Sequence, residues 1–199
     1  MQKTIFAFFL SLILPSFSPA SEAVQTPQHK EGVFWKFTAT QKNWDVQSSC
    51  DTAGSYEIVY KGSQFTVFDI TDGKKQEISK DCGGAEIVRM VNFQDERKYV
   101  LFPLKPDGKW RAAYKFRPVG SKRDSERHVE YKVVALEKLE VPAGSFDAYK
   151  ILGEAQAQRS QLTVTIHYAP EVASIVSYRY ESSSGPVREI KLIGFGQGH

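Results

Sequence analysis

With 199 residues and a formal charge of +3, the chain is too near neutral to argue for nucleic acid or an anionic membrane surface as its partner. Aromatics make up 13% of it, and with many Thr, Val and Ile they favour sheet. No C-x-x-C and no nearby histidine pair supplies metal-ligand spacing, so no metal or other cofactor is expected.

The first residues, M-Q-K-T-I-F-A-F-F-L-S-L-I-L-P, place Lys3 before an apolar run from Ile5 to Leu14. Ser18-Pro19-Ala20 then offers small residues to a signal peptidase. Residues 1–20 read as a secretory signal peptide cleaved after Ala20, with Ala23 the next choice. The run is about half the ~20 apolar residues of a spanning helix, so no membrane anchor is expected after cleavage. The sequence places the mature chain in the bacterial periplasm or outside the cell.

Residues 21–32 are polar and aperiodic and read as a loose N-terminus. A single β domain is expected over residues 33–195. Its first strand starts near Val33 with F-W-K-F-T-A-T. Residues 42–53 are polar and hold Trp44 and Cys50, in a short helix or a long loop. Y-E-I-V-Y-K, Gly62 and Q-F-T-V-F-D-I read as a hairpin, and T-D-G-K at Thr71 to Lys74 as the next turn. D-I-T-D-G lacks the calcium-loop pattern. Residues 86–93 fit helix or strand equally, and Arg97 to Phe102 form a short apolar run.

Cys50 and Cys82 are the only cysteines, and in an exported chain such a pair reads as one disulfide. Closing that loop would contribute about 3.5 kcal/mol on the chain-entropy model. Two free thiols are the alternative.

P-L-K-P-D-G-K, from Pro103, is a loop dense in turn formers. W-R-A-A-Y-K-F follows as a strand, then a charged tip, S-K-R-D-S-E-R. Val129, Tyr131, Val133, Ala135, Leu139 and Val141 recur with period two, broken by Glu137, which predicts a long half-buried strand. Pro142 cannot donate to a ladder, and Gly144 can take positive φ. Phe146 and Asp147 follow, one to pin the turn into the core and one to accept from turn amides. V-P-A-G-S-F-D-A therefore reads as a turn and not an active site. Ser145 beside Asp147 has no local histidine to act as base. Strands follow over 147–158, 161–168, 174–181 and 187–193, with turn signals at Pro170 and at residues 182–186.

F-P-L-K-P-D-G-K-W, the long E-Y-K-V-V-A-L-E-K-L-E-V-P-A-G-S-F-D-A-Y-K-I and I-H-Y-A-P-E-V-A-S together resemble a group of uncharacterised bacterial exported domains. These carry an FPL…G…W segment, a VPAG[ST]FDA turn and a Y-x-P-[ED]-V-G hairpin. The resemblance covers residues 101–195. It implies an antiparallel β protein, a curved sheet or half-barrel, in an exported compartment, and it implies no activity. Ala173 stands where the group has glycine.

Hydrolase signatures such as G-x-S-x-G and H-E-x-x-H are missing. His29, His128, His167 and His199 stand far apart and read as surface histidines, with His29 and His199 near flexible ends. G-F-G-Q-G, from Gly194, has glycine spacing like a dinucleotide loop but opens no helix, so it reads as a flexible tail. Lys115, Arg117, Lys122, Arg123 and Arg127 form the densest basic stretch, diluted by Asp124 and Glu126. It reads as a solvated hairpin tip or as a contact for an anionic partner.

The expected fold is all-β, an antiparallel meander forming a curved sheet, half-barrel or barrel. Trp35, Trp44, Trp110, Phe116, Tyr131 and Tyr178 are then either its core or the lining of an apolar cavity. The leading expectation is a non-catalytic exported protein that holds an apolar or lipid-like molecule or an envelope partner. A hydrolase with a scattered site and an assembly scaffold are the alternatives.

Overall fold

A computed structural model describes residues 23–40, 54–78, 85–116, 122–157, 160–183 and 187–198. The signal segment, Trp44, Cys50, Cys82, Arg117 and His199 lie outside these residues, as does the Phe116 side chain.

The described residues form one ten-stranded antiparallel sheet. The strands are β1 (Val33–Ala39), β2 (Ser55–Lys61), β3 (Gln64–Thr71), β4 (Lys74–Ile78), β5 (Lys109–Phe116), β6 (Ser125–Val141), β7 (Gly144–Ala157), β8 (Ser160–Ala169), β9 (Ser174–Ser182) and β10 (Arg188–Gln197). Their order is β4-β3-β2-β1-β10-β9-β8-β7-β6-β5. The outermost strands, β4 and β5, do not pair with each other, so the sheet is not closed into a barrel. Among the described residues, helix is confined to a short turn, α1 (Ala85–Val88), and a 3-10 turn at Pro170–Val172.

Local chemistry sets the hairpins. Gly62 and Ser63 both take positive φ, as do Asp72 and Gly73, which matches the twist of two-residue hairpin turns. Val141 pairs with Gly144 at φ +136°, leaving Pro142 and Ala143 as the turn. Asp147 is exposed opposite Lys138. Val134 has no partner in the β6–β7 ladder, a β-bulge. Beyond it, the hairpin tip reaches β10. The Ala143 amide donates to the Leu192 carbonyl at 3.2 Å, and Phe146 meets Phe195 edge-on at 5.8 Å.

The glycines near the C-terminus belong to the sheet and not to a flexible tail. Gly194 and Gly196 pair with Lys36 and Phe34 in the β1–β10 ladder. A Cβ on Gly196 would come within 3.0 Å of the Phe34 ring, so glycine there lets that ring lie against the strand.

The concave side of the sheet is filled by the chain itself. Between β4 and β5 the connection buries Ile87, Met90, Val91, Val100 and Leu104. The amide of Ile175 on β9 donates to the Met90 carbonyl at 2.8 Å, and the Ser174 hydroxyl donates to the same oxygen at 3.3 Å. Trp110 on β5 donates its indole N–H to the Lys98 carbonyl at 2.7 Å. One segment thus touches strands far apart in the sheet, which curls round it.

Three of the interior aromatics lie in the packed core. Trp35, Tyr131 and Tyr178 are 1%, 2% and 2% exposed and belong to the core. Trp35 donates to the Val172 carbonyl at 2.8 Å, and the Tyr178 and Tyr99 hydroxyls lie 3.3 Å apart. Sequence alternation marks these residues as inward-facing. It carries no sign that a non-sheet segment from elsewhere in the chain occupies the space they face.

Candidate functional site

Residues 23–32, expected to be loose, are tied down. Val24 and Leu104 exchange two backbone hydrogen bonds at 2.8 Å. The Gly32 amide donates to the Tyr60 carbonyl at 2.9 Å, and the Glu31 carboxylate accepts from the Gly62 amide at 3.0 Å. The cause is a backbone bridge to the β4–β5 connection, which hydrophobicity patterns do not reveal.

This N-terminal strap, the β2–β3 turn and the β4–β5 connection wall an open cleft of about 560 Å³. His29 stands in its wall. Its Nε2 lies 3.1 Å from the Val91 carbonyl. The imidazole meets Trp35 and Phe65 edge-on, with centroids 5.1 and 5.3 Å away, and Tyr60 at 5.5 Å. Burial lowers the His29 pKa against the opposing effect of the Val91 hydrogen bond, which favours the neutral ring with its proton on Nε2. The opposite wall is a second ring cluster, in which Phe93 packs edge-on against Phe102 and Tyr168 at 5.4 Å each. Among the lining residues, Gln28, Gln64 and Gln94 are exposed, and their side-chain amides have no protein partner among the described residues. The Asn92 side-chain oxygen accepts from the Gln94 backbone N–H at 3.2 Å. Sequence reading did not collect these residues, because they come from three segments of which only β2–β3 has a periodic pattern.

A second depression of about 450 Å³ lies over β5, β6 and β7, lined by Trp110, Val134, Leu152 and charges of both signs. Trp110 stacks on Tyr131 at 5.4 Å and 20°. Tyr131 in turn lies so close to Gly153 that a Cβ there would sit 2.5 Å from its ring.

The three histidines among the described residues do not assemble. His128 is exposed, 3.8 Å from Glu126. His167 is not a surface histidine; it is buried on β8 and lies 3.0 Å from Glu137 Oε1, which Lys150 also approaches at 3.4 Å. Burial lowers the His167 pKa, and the hydrogen bond from His167 lowers that of Glu137, so a neutral imidazole donates to a carboxylate. Ser177 faces His167 in the β8–β9 register, which suggests a serine–histidine–acid set. However, His167 Nδ1 is closed off from solvent and makes no hydrogen bond, so no hydroxyl is activated there. Among the described residues no cluster of three metal-ligating side chains occurs.

Lys115, Lys122 and Arg123 are exposed, whereas Arg127 is part-buried, 3.5 Å from the Tyr180 hydroxyl. Pro170 opens the 3-10 turn, and Ala173 after it takes the left-handed conformation, φ 50° and ψ 39°.

No protein-family model matches the chain, and no curated protein matches it. Among solved structures, the chain is similar to a presumed exported protein of Bacteroides fragilis with a YmcC-like fold. The two are 12% identical, with a TM-score of 0.38 over 88% of this chain and all of the other.

Proposed function

We propose that the chain is an exported, non-catalytic binding protein of the bacterial envelope, and that its ligand occupies the His29 cleft. The observation that carries this reading is the cleft itself. Its 560 Å³ lies within the roughly 300–1,000 Å³ of small-molecule sites, and it combines rings with a few unpartnered polar groups. The signal-like first 20 residues support export. Burial of Ile87, Met90, Val91, Val100 and Leu104 in the core weighs against the lipid-carrier version. A hydrolase is disfavoured by the isolated His128 and the sealed Nδ1 of His167.

Native mass spectrometry of the mature protein from its own host's periplasm tests this. The expected result is a co-purifying small molecule on the wild type that is absent from Gln64→Trp, where an indole fills the cleft mouth. A bound mass retained by the variant would move the site elsewhere. An empty wild type would favour an envelope partner or scaffold role. The same spectrum tests our second proposal, a Cys50–Cys82 disulfide, which leaves the chain lighter by two thiol hydrogens.

A further inference from the structure

The lining of the cleft limits the chemistry of what it holds. None of the side chains that line it carries a formal charge. The neighbours of His29 are rings and a backbone carbonyl. An anionic ligand would find no cation there, and a cationic one no carboxylate. An acyl tail would fit the rings of Phe65, Phe93 and Phe102, but it would strip water from the amides around them and return no hydrogen bonds.

Resting on the cleft reading above, we infer that the ligand is an uncharged, hydroxyl-rich molecule with an apolar face, a neutral oligosaccharide segment. Gln28, Gln64 and Gln94 each bring an N–H₂ donor pair and a carbonyl acceptor, and none of these groups is used by the protein among the described residues. The Tyr60 hydroxyl, also in the lining, is likewise without a protein partner. A sugar ring matches this inventory. Each of its hydroxyls is both donor and acceptor, and its C–H face packs on an aromatic ring. The exposed Leu101 extends that apolar floor. The strap, the hairpin turn and the connection are all hydrogen-bonded in place, so the donors and acceptors are largely set before binding.

The test is a titration of isotope-labelled mature protein, followed by the backbone and side-chain amide resonances of Gln28, Gln64 and Gln94. The probes are uncharged oligomers of glucose, galactose, mannose and N-acetylglucosamine, with palmitate and polygalacturonate as the apolar and anionic comparisons. The expected result is saturable shifts at the three glutamines with at least one uncharged oligomer, at an affinity that salt does not change. Gln64→Ala with Gln94→Ala, both at exposed positions, should weaken it about tenfold, which corresponds to roughly 1.4 kcal/mol. Shifts there with palmitate or polygalacturonate alone would overturn the sugar and leave the cleft standing as a binding site. No shift at these glutamines with any probe would overturn both.

Discussion

The meander from β6 to β9 and the connection between β4 and β5 both contribute to the core but are held in different ways. The meander is a ladder, in which alternate residues such as Val129, Tyr131 and Val133 point inward and every pair repeats the same geometry. The connection has little ladder of its own. It is hung from isolated points, Met90 to Ser174 and Ile175 on β9, Lys98 to Trp110 on β5, and a two-bond bridge from Leu104 to Val24 on the strap. A sheet that exposes one face to its own irregular segment must satisfy that segment's polar backbone point by point. The side chains chosen for this are the Trp110 indole N–H, the Ser174 hydroxyl and the His29 imidazole.

If the connection is true core, truncation there should destabilise as much as truncation in the ladder. Met90 and Ile166 are both fully buried. Met90→Ala and Ile166→Ala should each lower unfolding free energy by about 3 kcal/mol, read from urea midpoints at constant slope. A loss under about 1 kcal/mol for Met90→Ala alone would make the connection a cover that yields. The interior would then be open to ligands after all. Hydrogen exchange sharpens the point, since the Ile175 amide should be as protected as the ladder amides of β8.

The same contrast explains what the sequence makes legible. Period-two runs and turn residues locate β6 to β9 and the Pro142–Ala143 turn to within a few residues, because strand and turn chemistry are local. The bulge at Val134 is harder, since the alternation of burial runs through it unbroken, and the interruption at Glu137 is a polar residue bonded to His167 and no trace of it. The cleft is not legible at all. His29, Phe65 and Phe93 are brought together by a two-bond bridge between Val24 and Leu104, residues 80 apart in sequence. The Gly194–Gly198 stretch misleads for a related reason. Gly194 and Gly196 pair with a strand at the other end of the chain, and Gly196 makes room there for the Phe34 ring.

Two turn positions in the meander test backbone preference with opposite signs. Gly144 sits at φ +136°, which a Cβ disfavours, so Gly144→Ala should destabilise by about 1–2 kcal/mol. Ala173 already bears a Cβ in the left-handed region. Ala173→Gly should stabilise by about 0.5 kcal/mol, the relief of strain exceeding the added chain entropy. Thermal unfolding of the two variants should therefore bracket the wild type. A lower melting temperature for Ala173→Gly would mean that the left-handed corner carries no strain.

The smallest effect separates the two regions by proton uptake. His29 belongs to the strap over the connection and His167 to the meander, and burial lowers both pKa values. A histidine with a depressed folded pKa binds fewer protons folded than unfolded, so its contribution is complete above the unfolded value of about 6.5 and is lost as pH falls below it. The partners differ. A proton arriving on His167 strengthens its bond to Glu137, although Lys150 nearby opposes the added charge. A proton on His29 meets only rings and a carbonyl that the neutral Nε2–H already satisfies. His29→Gln, whose amide can still donate to the Val91 carbonyl, should therefore flatten the decline in stability between about pH 7.5 and 5.5 more than His167→Gln does. Urea midpoints across that range decide it. Equal slopes in wild type and His29→Gln would mean that the strap releases His29 to solvent when it is protonated, and that the cleft wall is held by the Val24–Leu104 bridge alone.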